Sequence, residues 1–410
     1  MSTICVRAIL WIDFVAVIMK TGTDDILRLG AEVKTIKMKG RMRSMSPESF
    51  SNTLRVAKNA VDQGLVPSIC LAMGMKDHIL AQGCYGKTSI LPDAVPVNAD
   101  TVYDMASLSK LLGPTMIALR WIARGELELT DTLPMFFGDA VPAEKQNISI
   151  YHLMTHTAGF LPSVRMDKLF SDGQRVLPYL LGCPLQYEPG KQVAYSCLGY
   201  IVLGKILEKI SGKTLDVLAD EEVFTPLGMK NTCYHPLERK WSTDNTAYTE
   251  RSSFQDEWLV GKVHDENAYL LNGVSGNAGV FSTLTDCTVF ARMLSCKGRI
   301  ADGIYLPKTI LNEAMKDQTP WSDNHKGIGF DLTGGWNSIC GAFFARMAAG
   351  HTGYTGTTLY INPDNGAWIV ILSNRVHPTR ENTQMPRIRR TLCNSFASEL
   401  DAYLLQEDQD

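Results

Sequence analysis

Apolar positions along the chain change period several times, and the changes divide it into elements. Residues 47–64 carry a helical stripe, with Phe50, Leu54, Ala57 and Val61 on one face and Ser46 placed to cap it. Two dense apolar runs follow at 66–73 and 79–85, joined through Lys76, Asp77 and His78, and they predict two strands. From 107 to about 272 the pattern is mostly helical with long loops. The first strong run there holds Leu111, Leu112, Met116, Ile117, Leu119, Trp121 and Ile122 and ends near Gly125. A second holds Leu198, Ile201, Val202, Ile206, Leu207 and Ile210 and ends at Gly212. Strand signals return at 278–281, 346–350, 357–361 and 368–372. The last two flank Asn362-Pro-Asp-Asn-Gly366, a strong turn sequence. Residues 386–405 read as a final amphipathic helix.

This order predicts an α+β chain, with one sheet assembled from both ends and a helical lobe inserted between. The sheet lobe takes 46–105 and 273–410, and the helical lobe takes 106–272. A site then falls in the crevice between them. A chain of 410 residues with 45% hydrophobic content can bury a large core. The 40 basic and 43 acidic residues give a net charge of −3, so no basic excess points to nucleic acid.

The first forty-five residues have a different character. Their apolar run from Ile4 to Met19 is interrupted by Arg7 and Asp13, too short and too charged for a stable membrane span and without a clear signal-peptide cleavage site. Basic and apolar residues alternate over 34–43, and Met45 offers an alternative start. This stretch is set aside as an N-terminal extension. Ten cysteines are scattered without a Cys-x-x-Cys pair, which argues against zinc and for reduced thiols in a cytoplasmic setting. No cofactor or metal is expected, and the oligomeric state is not readable.

Chemistry concentrates at Ser107 and Lys110. A serine and a lysine three residues apart share one face of a helix, so the lysine nitrogen lies beside the hydroxyl and eases formation of an alkoxide. Ser107 also falls near a helix N-terminus, which favours negative charge. Alone, such a pair more often means a solvated helix surface. Two later motifs change that weighting. Tyr195-Ser-Cys197 stands just ahead of the second apolar stripe, and a phenol beside a lysine can act as a general base for serine. His351-Thr352-Gly353 opens a glycine-rich strand, whose backbone can approach a substrate and lend an N–H to an oxyanion hole. Gly273-Val-Ser-Gly276 is not a nucleophile elbow, since its second glycine comes one residue early.

Taken in order, Ser107-Leu-Ser-Lys110, Tyr195-Ser-Cys197 and His351-Thr352-Gly353 resemble the three motifs of serine β-lactamases and penicillin-binding-protein relatives. The class C-like branch, with DD-peptidases, D-aminopeptidases and family VIII esterases, is the nearest in pattern. Segments 153–160, 187–190, 227–229, 273–282 and 374–378 also look like family signatures, and the resemblance runs from about 50 to about 404. It implies the β-lactamase/transpeptidase-like fold, an antiparallel sheet flanked by N- and C-terminal helices. It implies that Ser107 is acylated, that Lys110 lowers the pKa of the serine and the tyrosine, and that Tyr195 is the general base. The backbone N–H groups of Ser107 and Tyr354 would form the oxyanion hole, and His351, Thr352, Gly353 and Cys197 would line the substrate.

Two departures narrow the activity. Class C β-lactamases carry Tyr-x-Asn and Lys-Thr-Gly, and this chain has Cys197 and His351 at the variable positions. A thiol is a weak hydrogen-bonding group, and histidine is largely uncharged at pH 7. The expectation is a serine hydrolase acting through an acyl-enzyme on an ester or amide, as a carboxylesterase or D-peptidase, with weak β-lactamase activity at most. Its partner is a small-molecule or short peptide substrate. An acyltransferase and a non-catalytic assembly protein are the rivals. His152 with His156, and His264 with Asp265, read as packing and turn residues, while Ser275 and Asn277 border the site in an unreadable role.

Overall fold

The computed structural model describes residues 50–239, 241–252 and 257–407. Ser46 and the N-terminal extension lie outside them. Helix α1 (Ser51–Asp62) precedes strands β1 (Ser68–Met75) and β2 (His78–Gly86). A short ribbon pairs β3 (Tyr103–Asp104) with β4 (Phe281–Ser282). The inserted helices include α2 (Met116–Arg124), α3 (Ile150–Met154) and α4 (Cys197–Ser211). Helix α5 (Leu284–Ser295) and the hairpin of β5 (Arg299–Ile300) and β6 (Gly303–Ile304) lead back to the sheet. Strands β7 (Asp331–Thr333), β8 (Ala348–Thr352), β9 (Thr358–Ile361) and β10 (Ala367–Ser373) and helix α6 (Met385–Glu407) finish the chain.

The six-stranded sheet has the order β2-β1-β10-β9-β8-β7, and its neighbours pair antiparallel throughout. Both chain ends therefore build it, as the sequence predicts. Central strands β9 and β10 are buried at every position, so the sheet is covered on both faces. Helices α1 and α6 pack together, α1 lies on β1 and β2, and α5 packs on β1, β9 and β10.

Particular boundaries differ from the sequence reading. Of the segment 278–281 only Phe281 enters a strand, the two-residue β4, which pairs outside the main sheet. Strand β7 was not foreseen, because Asp331-Leu-Thr is too short to show a period. The helix after Ser107 is not one regular cylinder. A 3₁₀ turn (Ala106–Leu108) passes into a π-type segment (Leu111–Thr115) before α2 begins. Pro114 lies in that segment and has no N–H to give, which breaks the regular ladder. Helix α4 ends at Gly212 in the left-handed conformation, as its sequence signals.

Helix α1 lacks a capping side chain of its own. The distant Glu399 of α6 takes that role. Its carboxylate accepts from the N–H groups of Asn52 (2.8 Å) and Thr53 (3.0 Å) and from the Thr53 hydroxyl (2.6 Å). Phe50 packs against Phe396 and Tyr403 alongside, with ring centroids 6.0 and 5.8 Å apart. The two ends of the chain are thus fastened by one carboxylate and an aromatic cluster. Glu399→Ala should lower stability by about 1–2 kcal/mol, the usual worth of an N-cap. Urea unfolding measures it, and reactivity at Ser107 should be unchanged in the folded variant.

Candidate active site

Ser107 sits on the 3₁₀ turn directly after β3. Its predecessor, Ala106, has φ +46°, a left-handed conformation that costs a residue with a Cβ roughly 1–3 kcal/mol. Tertiary bonds hold the bend. Asp104 accepts the Ala106 N–H at 2.8 Å through Oδ1 and the His264 N–H at 2.7 Å through Oδ2. Burial pushes the Asp104 carboxyl up, against the pull of those two backbone donors. The Met105 N–H reaches Val280 O at 2.9 Å, and the Ser109 hydroxyl receives the Val280 N–H at 3.0 Å.

Lys110 is fully buried. Its Nζ donates to Ser107 Oγ at 3.0 Å and to the Asn277 carbonyl at 2.9 Å, with Cys197 Sγ at 3.6 Å. Three distant segments therefore meet at one nitrogen. Asn277 is held in turn by its side chain, which accepts from Ser275 Oγ at 2.6 Å and donates to Asp265 Oδ1 at 3.0 Å. Sequence reasoning placed Ser275 and Asn277 at the border of the site. It missed that the Asn277 backbone anchors the lysine, since a carbonyl oxygen leaves no side-chain signal.

Tyr195 lies in the loop before α4. Ser196 caps that helix by accepting the Gly199 N–H at 3.2 Å, and its own N–H donates to His156 Nδ1 at 3.0 Å. The Tyr195 ring lies 4.9 Å from Lys110 Nζ and 4.7 Å from the His156 ring. Its hydroxyl is buried, with no hydrogen-bond partner among the described residues. The Ser107 hydroxyl is near enough to pull the phenol pKa down, yet outside hydrogen-bond geometry. The expectation that Lys110 draws Tyr195 toward phenolate does not hold in this resting arrangement. Burial dominates, Cys197 and Asp331 add to it, and the phenol is pushed well above its ordinary value.

His351 and Thr352 close strand β8 rather than open a strand, and the turn starts at Gly353. The reason is steric and polar together. A Cβ at Gly353 would meet Met105 O at 2.3 Å, so only glycine lets the two backbones approach so closely. Thr355 Oγ1 donates to Asp104 O at 2.7 Å and Thr357 Oγ1 to Met105 O at 3.0 Å. The turn that carries Tyr354 is thereby stitched to the segment just ahead of Ser107. Tyr354 is half exposed, between the His264 ring (5.8 Å, near parallel) and the Arg375 guanidinium (4.4 Å).

His351 is buried. Its Nδ1 lies 2.7 Å from Thr352 O and must donate to it, which leaves Nε2 as the free lone pair. Burial lowers its pKa to about 4, against the opposite pull of Asp331. Asp331 Oδ2 stands 3.7 Å from Nε2, and Asp331 Oδ1 is paired to Lys326 Nζ at 2.5 Å. Lys326 and Asp331 sit outside every motif, so no local pattern marks them.

The tempting histidines have structural duties. His152 Nδ1 accepts the Ser149 N–H at 3.1 Å within a capping box on α3, and His264 pairs with Glu250 at 3.1 Å. Among the described residues no group of His, Cys, Asp and Glu could hold a metal ion, and no helix is long and apolar enough to cross a membrane.

Comparison with known proteins places the chain in a family. A family model described as Beta-lactamase matches residues 55–393. A curated relative from Salmonella paratyphi B, named "Putative D-alanyl-D-alanine carboxypeptidase", is 28% identical over 363 residues, covering 80% of this chain and 83% of the relative. Among solved structures, a penicillin-binding-protein homologue from Caulobacter crescentus aligns with TM-score 0.68 at 16% identity, covering 87% of this chain and 99% of that one. A hydrolase with promiscuous acyltransferase activity aligns with TM-score 0.63 at 18% identity, covering 83% and 98%. These two structures share the β-lactamase/transpeptidase-like fold. The chain belongs to the Beta-lactamase family.

Proposed function

We propose that the protein is a serine hydrolase working through a covalent acyl-enzyme on an ester or amide. The observation that carries this reading is the buried Lys110 nitrogen donating to Ser107 Oγ at 3.0 Å. Ser107 Oγ bonds to the substrate carbonyl carbon, and the carbonyl electron pair moves onto oxygen. The backbone N–H groups of Ser107 and Tyr354 receive that oxyanion. Tyr195 serves as a neutral shuttle. It takes the Ser107 proton as it passes its own to the leaving alcohol or amine, and the bond to that group breaks. A phenol whose pKa is raised keeps both a lone pair and a proton, as a shuttle requires. Water then attacks the acyl carbon as Tyr195 takes one of its protons and passes its own to Ser107 Oγ, the acyl–Oγ bond breaks and the acid leaves. His351-Thr352-Gly353 lines the acyl group. Cys197 contributes a weak contact beside Lys110.

The substrate class follows from charge. His351 is uncharged near pH 7, and the Lys326 ammonium is committed to Asp331. This part of the wall offers no free cation to a substrate carboxylate. That favours a carboxylesterase, or a D-peptidase that holds no terminal carboxylate at this wall, over a β-lactamase. The name of the Salmonella relative supports the peptidase arm.

Three outcomes are expected. A fluorophosphonate probe should label Ser107, read by mass spectrometry, and Ser107→Ala should abolish labelling; labelling retained elsewhere in that variant would overturn the reading. Tyr195→Phe should cut kcat by about 10²–10⁴-fold, the usual worth of a proton-transfer group. Compared by kcat/KM, p-nitrophenyl acetate or a D-alanyl peptide should exceed nitrocefin by about a hundredfold or more.

A further inference from the structure

Lys326 and Asp331 have no place in the three motifs, yet they lie against the reacting groups. The two residues form an antiparallel bridge at the sheet edge, and Asp331 opens β7 opposite Gly350. Lys326 is 5% exposed and its Nζ sits 5.7 Å from the Tyr195 ring centroid. Its backbone is fixed as well. The Lys326 N–H donates to Thr319 Oγ1 at 2.8 Å and its carbonyl accepts the Gln318 N–H at 2.8 Å. A lysine this deeply buried and this firmly held must have its charge matched. Asp331 matches it.

The carboxylate has a second neighbour. Asp331 Oδ2 is 3.7 Å from His351 Nε2, a buried atom with no hydrogen-bond partner among the described residues. The groups facing His351 come from several elements: Asp331 from β7, Lys326 from the bridge, Lys110 from the serine segment, His156 from the loop after α3, and Tyr195 from the loop before α4. The half-buried Cys197 and the buried Tyr360 lie close to the same groups. Asp331 is the carboxylate among them. Left alone, it would draw a proton onto His351 and oppose any negative charge building on Tyr195.

We infer that Lys326 is a positioning residue for the reaction at Ser107: by pairing with Asp331 it cancels the carboxylate that faces His351 and Tyr195. His351 then stays an uncharged wall beside the acyl group, and Tyr195 can pass protons without an opposing charge behind it. This rests on the acyl-enzyme reading for its effect on rate, but its effect on His351 does not depend on turnover. Burial pulls the Asp331 carboxyl upward, while His351 and His156 when protonated, and the charge and hydrogen bond of Lys326, outweigh it and hold it below the usual carboxylate range.

An electrostatic double-variant cycle tests it. The variants are Lys326→Met, Asp331→Asn and the two together, in the full chain. His351 is titrated by NMR of labelled histidine, with its signal assigned through His351→Gln, and the acid limb of kcat/KM is followed with p-nitrophenyl acetate. Lys326→Met exposes Asp331, so His351 should titrate about one pH unit or more higher. The acid limb should rise with it, costing about tenfold in kcat/KM once it passes the assay pH. Asp331→Asn should move neither upward, and the double variant should return both to near the parent values. Lys326→Gln repeats the first arm should Lys326→Met fail to fold. If all variants share one limb and one His351 titration, or if both single variants lose activity with the limb unmoved, the pair is structural and the inference is overturned. If no variant and not the parent turns over ester, while His351 still shifts as stated, the acyl-enzyme reading fails and the Lys326–Asp331 assignment to His351 stands.

Discussion

The site depends on where the Lys110 nitrogen is held. A primary amine taken wholly out of water must be given hydrogen-bond acceptors, or its burial costs several kcal/mol. Here the acceptors are Ser107 Oγ, the Asn277 carbonyl and, more weakly, Cys197 Sγ. They come from the turn after β3, the loop before β4 and the first residue of α4. Satisfying one nitrogen therefore ties three separate stretches of chain to a single point. The strained Ala106 and the glycine contact at Gly353 are tolerated because that point, and the bonds from Thr355 and Thr357, over-determine the local backbone.

A second polar layer lies behind the first and works by the opposite logic. Lys110 has its hydrogen bonds filled, whereas the Tyr195 hydroxyl and His351 Nε2 have no partner among the described residues. Orphaned atoms in a buried site are expensive, and they are expected where a substrate or proton is to be received. Both groups are kept uncharged by burial, the phenol with its pKa raised and the imidazole with its pKa lowered to about 4. The Lys326–Asp331 pair supplies matched charge at the edge of this layer. The result is a buried, nearly neutral wall beside Ser107 and Lys110. Such a wall fits the proposed ester or amide substrate better than an anionic one.

Much of the frame was legible because its signals are local. The stripes of α4 and α6, the β1–β2 pair and the turn at Asn362–Gly366 each follow from spacing within a dozen residues, and the structure returns them within a few residues. Ser107 and Lys110 were legible for the same reason, being one turn apart. Legibility ended where pairing is long-range. The α1 cap comes from Glu399, more than 340 positions away, so no local reading could supply it. The π-type segment at Pro114 was hidden inside an apolar run that looks helical by period alone.

The sequence by itself determined which groups exist and in what order: the serine with its lysine, the tyrosine, the histidine-threonine-glycine stretch, and the helix and strand periods that carry them. Composition and periodicity act through neighbours along the chain, so these features need no fold to be read. Only the tertiary structure decided the charge state of the site. It buried Tyr195 until its pKa rose instead of falling, placed His351 at the end of a strand with its Nδ1 spent on a carbonyl, and brought the unmarked Lys326 and Asp331 against them. Desolvation and Coulomb interaction depend on distance and burial in space, and neither is written in the spacing of residues.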